Sequence, residues 1–152
     1  MEPKEIFAAV LDKMPQQPPF RFIDEITDLD DQHIDGNYFL REDADFYKGH
    51  FPGFPITPGV ILTEIMAQIG MVAFGIYLMM VQGETAFTNM ATMLTETNIK
   101  FKKQVLPGQR VFVHSDKNFF RHGKLECNIS LKDGNNKLLC FGSMSGMVFK
   151  KT

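Results

Sequence analysis

The sequence predicts an α+β fold in which an antiparallel sheet of about six strands wraps around one long central helix, with a short helix at the N-terminus. Three observations carry that expectation. An almost wholly apolar run from Val60 to Val81 is too long for a strand and apolar on every side, which suits a helix at the centre of a fold or between subunits. Two stretches with strand character precede it and four follow. Turn-forming pairs separate the last four, so each strand folds back beside its neighbour.

Taken in order, residues 4–14 place Ile6, Phe7, Val10, Leu11 and Met14 on one helical face, and Pro15 with Pro18-Pro19 ends that helix. Phe20 to Asp28 reads as a strand, Asp30-Asp31 as a turn and His33 to Leu40 as the hairpin partner. From Gly49 to Gly59, Pro52, Pro55, Pro58 and three glycines dictate a rigid, non-helical path. The apolar helix then runs to about Gln82. After Gly83, strands are expected at about 89–103, 109–121, 124–132 and 137–149. Pro107-Gly108, His122-Gly123 and Asp133-Gly134-Asn135-Asn136 are the turns between them. With no internal repeat, residues 1–152 are expected to form one domain. Such a sheet leaves open edges and a partly covered apolar helix, so dimerisation is the economical solution.

Apolar residues make up 44% of the chain and charged residues 22%, the balance of a soluble globular protein. A net charge of −2, without a basic stripe interleaved with aromatics, argues against nucleic acid as a partner. Cys127 and Cys140 fall on separate strands and read as buried, reduced thiols. The opening Met-Glu-Pro-Lys-Glu lacks a basic region followed by an apolar stretch, so no secretory signal is expected and the cytoplasm is the expected compartment. Val60 to Val81 is long enough to cross a bilayer, but Glu64, Gln68, Gly70 and Gly75 interrupt it and no basic cluster flanks it. A membrane span is therefore not expected. His33, His114 and His122 read as structural or surface residues, and none combines with a cysteine at metal-ligand spacing. Asn128-Ile129-Ser130 matches a glycosylation sequon by chance in a cytoplasmic chain.

His50 and Glu64 carry the chemical expectation. His50 is held by Gly49, Pro52 and Gly53, which determine the backbone on both sides of it. Glu64 stands among Ile61, Leu62, Ile65 and Met66, where a carboxyl must be protonated, paired or engaged in chemistry. Gln68, one turn later on the same face, can hydrogen-bond to it. The bland alternative for Glu64 is a solvent-facing residue stabilised by the helix N-terminus.

His50-Phe51-Pro52-Gly53-x-Pro55-x-x-Pro58-Gly59-Val60, followed by Glu64-x-x-x-Gln68, resembles the active-site signature of the β-hydroxyacyl-acyl carrier protein dehydratases of bacterial fatty-acid synthesis. Pro18-Pro19-Phe20, Ile23-Asp24, Phe46-Tyr47-Lys48-Gly49, Lys100-Phe101-Lys102-Lys103 and Val105-Leu106-Pro107-Gly108 extend the resemblance in the family's order. It implies a hotdog fold and a homodimer, possibly in a trimer of dimers, whose active sites pair His50 of one subunit with Glu64 of the other. It implies dehydration of (3R)-3-hydroxyacyl thioesters to trans-2-enoyl thioesters. His50 would accept the α-proton, Glu64 would protonate the departing hydroxyl, and the Gly59 N–H would face the thioester oxygen. No metal or organic cofactor is required.

Phe54, Ile56 and Met93 are candidates for an acyl tunnel, although ordinary packing explains most of the methionines and phenylalanines. Lys102, Lys103, Lys117, Arg121 and Lys124 are candidates for docking an acidic carrier protein, and solvated surface lysines equally fit the pattern. Gln16-Gln17, Glu25 and Thr57 depart from the family's usual residues, which leaves open a specialised polyene or polyketide lipid pathway. A bifunctional dehydratase/isomerase, which usually carries Asp in place of Glu64, a hotdog thioesterase and a non-catalytic acyl-thioester-binding protein are the other readings.

Overall fold

The computed structural model describes residues 1–151. Helix α1 (Pro3–Lys13) starts on a proline, whose missing N–H costs nothing in a first turn, and buries Val10. Strands β1 (Glu25–Leu29) and β2 (His33–Phe39) form a hairpin, and a short helix α2 (Asp45–His50) follows. The long helix α3 (Gly59–Val81) comes next, then β3 (Met90–Phe101), β4 (Arg110–Arg121), β5 (Lys124–Lys132) and β6 (Leu138–Lys150).

The six strands form one antiparallel sheet in the order β1-β2-β4-β5-β6-β3. Consecutive hairpins account for three of its pairings. The other two are β2 with β4, which spans the segment containing α3 and β3, and β6 with β3, which spans β4 and β5. The β4–β5 turn is His122 (φ 52) and Gly123 (φ 76), the left-handed pair that a two-residue hairpin loop demands. β3 is an edge strand without a single fully buried residue.

The core lies where the middle of α3 meets β2, β4, β5 and β6. Ile65, Met66, Ile69 and Phe74 from the helix, and Ile34, Val113, Ile129, Leu131 and Met144 from the sheet, are each at most 2% exposed. Complete burial of such a side chain contributes about 1.5–3 kcal/mol. Gly70 allows the close approach: a Cβ there would lie 2.7 Å from Ile129 Cδ1 and 3.1 Å from Ser115 Cβ. Ser115, buried on β4, donates its hydroxyl to the Gly70 carbonyl at 3.0 Å. α3 is long and apolar enough to cross a membrane, but 67% of its most apolar stretch is packed inside the fold.

Several expectations need correction. β1 begins at Glu25 rather than Phe20, because the Phe20 carbonyl and the Phe22 N–H are engaged by the side chain of Gln68 instead of by a neighbouring strand. His50 is not on an irregular turn but is the last residue of α2. α3 is not uniformly α-helical, since Gln68–Ala73 winds as a π-helix. The remaining strands fall within two residues of expectation. Cys127 and Cys140 are free and buried, and burial pushes their thiols up to about 11 and about 12.

Candidate active site

His50 reaches its position through two nested ties across the loop between α2 and α3. Its Nδ1 lies 3.2 Å from the Ile56 carbonyl oxygen, and a carbonyl can only accept, so Nδ1 carries the proton. That leaves the Nε2 lone pair free to act as a base. Outside this tie, the Tyr47 hydroxyl meets Thr57 Oγ1 at 2.7 Å in a buried contact. The Thr57 N–H donates to the Val105 carbonyl at 2.7 Å, anchoring the end of the loop to the segment after β3. The imidazole itself is exposed.

α3 begins on Gly59 with Pro58 as its cap residue. The N–H groups of Ile61 and Leu62 turn back to the Pro58 carbonyl, whereas those of Gly59 and Val60 have no partner among the described residues. These are the orphan donors that make a helix start attractive to developing negative charge. The Phe101 ring lies against Gly59, close enough that a Cβ would sit 3.3 Å from it.

Glu64 is half-buried one turn further along. Its Oε2 accepts a 2.8 Å hydrogen bond from Gln68 Nε2. Gln68 is completely buried and has no freedom to flip: its Oε1 accepts the Phe22 N–H at 2.6 Å, and Nε2 also donates to the Phe20 carbonyl at 2.9 Å. The amide thus offers Glu64 a donor and nothing else. Glu64 faces an apolar cleft of about 250 Å³ between α3 and the sheet, lined among others by Met71, Ile76, Met79, Met93, Phe120 and Met147.

Of the residues singled out from the sequence, the structure joins Glu64 to Gln68 and sets Met93 in the Glu64 cleft. His50 at the end of α2, Phe54 and Ile56 on the loop and Gly59 at the start of α3 do not line that cleft. No hydrogen bond links His50 to Glu64 within the described residues of one chain. The basic candidates also divide. Lys102 and Lys103 lie beyond the end of β3, at the start of β6, where Lys102 sits over the Phe141 ring at 5.8 Å. Arg121 and Lys124 flank the turn at the opposite end of the strands, and Lys117 lies between, paired with Cys127.

The sequence reading missed a cluster on β1, β2 and β4. His33 lies 2.9 Å from both Asp28 and Asp30, while His114 lies 2.7 Å from Asp35 and 3.0 Å from Asp116. Donor atoms of Asp28, His33 and Asp35 stand within 4.8 Å of one another. The cluster depends on the β2–β4 register, Asp35 opposite His114 and His33 opposite Asp116, which no local pattern reveals. The hydrogen bond with Asp28 raises the His33 pKa against some burial. For His114, burial pulls downward, but Asp35 and Asp116 outweigh it and the net shift is upward.

The chain is 34% identical over 104 residues to a 3-hydroxyacyl-[acyl-carrier-protein] dehydratase FabZ from Bacillus velezensis, covering 68% of this chain and 70% of that protein. A FabZ dehydratase from Saccharophagus degradans is 32% identical over 128 residues, with 79% and 83% covered. Among solved structures, a chain of the dehydratase heterocomplex ApeI:P from Xenorhabdus doucetiae superposes with a TM-score of 0.75 at 13% identity, covering 94% of this chain and 91% of that one. The thioesterase HI1161 from Haemophilus influenzae reaches 0.59 at 15% identity, covering 83% and 78%. Those two likenesses establish the hotdog fold. The FabA-like domain matches residues 14–133, a stretch that holds the histidine loop, the helix and the first five strands, and the chain belongs to that family.

Proposed function

We propose that this chain is a cofactor-free hydro-lyase that dehydrates 3-hydroxyacyl-acyl carrier protein thioesters to trans-2-enoyl thioesters, with His50 as base and Glu64 as acid. The observation that carries the reading is that the segment shared with the FabZ dehydratases contains a histidine with a free Nε2 and a carboxyl oriented over an apolar cleft. His50 Nε2 removes the α-proton, the C–O bond at the β-carbon breaks, and Glu64 supplies the proton with which the hydroxyl leaves as water. The thioester oxygen gathers charge during the first step, and the free N–H of Gly59 stabilises it. Gln68 holds the carboxyl in place, and Met93 lies along the acyl chain.

Each site takes its histidine and its carboxyl from different copies of the chain. Two features support this. His50 and Glu64 are separately anchored and unconnected within one chain. The segments around them also expose large apolar residues, including Phe51, Phe54, Val60 (76% exposed), Met93 and Phe101, next to the unpaired edge of β3. A second copy would cover both the apolar surface and the edge. Phe54 and Ile56 would then face the partner's cleft. Arg121 and Lys124, beside Gly123 of the cleft wall, are the basic residues placed to meet an acidic carrier protein.

Incubating the protein with 3-hydroxybutyryl carrier protein and following enoyl absorbance tests the activity, and mass spectrometry of the carrier reveals any thioester hydrolysis. His50→Ala and Glu64→Gln should each abolish turnover while the dimer persists. Mixing the two dead variants under subunit exchange should restore partial activity. Near-normal turnover by either variant would overturn the roles, and absence of rescue would overturn the shared site.

A further inference from the structure

The contact between Tyr47 and Thr57 has no part in the acid–base chemistry, yet it is built like something that matters. Both residues are buried, at 4% and 6% exposure, and their hydroxyls meet at 2.7 Å across ten residues of chain. Within that span lies the second tie, from His50 Nδ1 to the Ile56 carbonyl. The two ties meet at the 56–57 peptide: its carbonyl takes the second, and the residue that bears its N–H takes the first through its side chain. The Ile56 carbonyl and the Thr57 N–H are the two ends of the 56–57 peptide plane, and the Thr57 N–H is bound to the Val105 carbonyl. Rotation of that plane is therefore opposed at its nitrogen by the segment that follows β3 and, through the Thr57 side chain, by Tyr47. Since a peptide is planar, fixing the N–H fixes the direction of the carbonyl.

We propose that the Tyr47–Thr57 hydrogen bond, acting with the Thr57 N–H bond to Val105, aims the Ile56 carbonyl at His50 and so holds the imidazole in the Nδ1–H form, with its lone pair on Nε2. Tyr47 and Thr57 are positioning residues: they act on the reaction only through the ring they orient. Without the tie, the far end of the loop from Phe51 to Pro55, whose phenylalanines are half exposed, is held only by the Thr57 N–H bond to Val105 and by the exposed His50 contact itself. The Ile56 carbonyl then swings, the ring samples the other tautomer, and Nε2 carries a hydrogen in part of the population. A base with its proton on the wrong nitrogen cannot accept another there.

The proposal rests on His50 being the base, so the test separates the two ideas. Tyr47→Phe, Thr57→Val, the double variant, Thr57→Ser and His50→Ala are compared by turnover, by thermal midpoint, and by nitrogen NMR of histidine-labelled protein. The His50 signals are assigned by their loss in His50→Ala. The expected result is a kcat about tenfold lower in Tyr47→Phe and Thr57→Val, the effect of losing one buried hydrogen bond's worth of orientation. KM should change little, because the substrate does not touch either hydroxyl. The double variant, which leaves no orphaned hydroxyl, should be no worse than the single ones. Thr57→Ser, which keeps the oxygen, should restore the rate. The neutral His50 ring should move from the Nδ1–H signature toward the Nε2–H one in every variant lacking a hydroxyl and in none that keeps both. An unchanged tautomer in the double variant, or a Thr57→Ser protein as slow as Thr57→Val, overturns the proposal. Turnover surviving in His50→Ala overturns the assignment of the base instead, whatever the tautomer does.

Discussion

Replacing Gln68 by Leu isolates what the buried amide contributes. Leucine fills nearly the same space, so the loss is chiefly of hydrogen bonds rather than of packing. Three are lost: from the Phe22 N–H, to the Phe20 carbonyl and to Glu64. The bond from Phe22 lies in a buried setting with no water to replace it, and leaving such a donor orphaned costs about 1–3 kcal/mol. The Phe20 and Glu64 contacts are only partly buried, so solvent recovers much of their value. The expected destabilisation is about 2–3 kcal/mol, or a fall of about 4–12 °C in thermal midpoint for a chain of this length. Urea unfolding followed by circular dichroism measures the first, and a thermal scan the second. Turnover should fall about tenfold as Glu64 loses its fixed donor, with KM nearly unchanged. Gln68→Glu provides the contrast, because it keeps an acceptor for Phe22 while placing a second carboxyl beside Glu64. It should recover part of the stability and none of the rate. A Leu variant within about 0.5 kcal/mol of the parent would refute the reasoning, since surface-like substitutions behave that way and buried orphaned groups do not.

Other expectations follow from the sheet. His33 and His114 are both held above their ordinary pKa by flanking carboxylates, so their protonated forms stabilise the fold. That contribution is complete below about pH 6.5, the unfolded value, and fades as pH rises through the raised folded values. Both groups are partly solvated, so the total should stay near 1 kcal/mol or less, and urea midpoints from pH 5.5 to 9 should fall more steeply in the parent than in a His33→Gln/His114→Gln variant. Gly70→Ala should cost about 1–3 kcal/mol, because the added methyl meets Ile129 and Ser115 at sub-contact distances; an unchanged urea midpoint would contradict the packing described. Cys127 and Cys140 should resist a thiol reagent at pH 8 until the protein is unfolded, and rapid native labelling would show that they are accessible.

Much of this architecture was legible because it is local. The alternation in β4 and β5, the paired turn residues between them and the length of the apolar run each report a single element. What escaped was set by contacts far apart in the chain. Phe20 to Phe22 has the composition of a strand, and the reach of Gln68 explains why the Phe20 carbonyl and the Phe22 N–H bond elsewhere. α2 is six residues long, includes Gly49 and ends on His50, too short for a periodic pattern to emerge. At the site, the spacing of Glu64 and Gln68 correctly implied their hydrogen bond, since residues four apart share a helical face. The Tyr47–Thr57 contact could not be read, because it depends on how the loop closes. The basic residues were grouped as docking candidates in sequence, but strand register sends Lys102 and Lys103 to one end of the sheet and Arg121 and Lys124 to the other, with Lys117 between.

The π turn from Gln68 to Ala73 has a geometric consequence for the cleft. In an unbroken α-helix each residue advances about 100°, so Ile76 would sit about 120° around the axis from Glu64, out of its sightline. A π turn takes up one residue beyond the α repeat, and the angle shrinks to about 20°. Carboxyl and isoleucine consequently look down the same furrow, as their shared place in the cleft wall records. On the function proposed above, the bulge would be the phase correction that lets one continuous helix serve the reacting end and the greasy end of a single ligand.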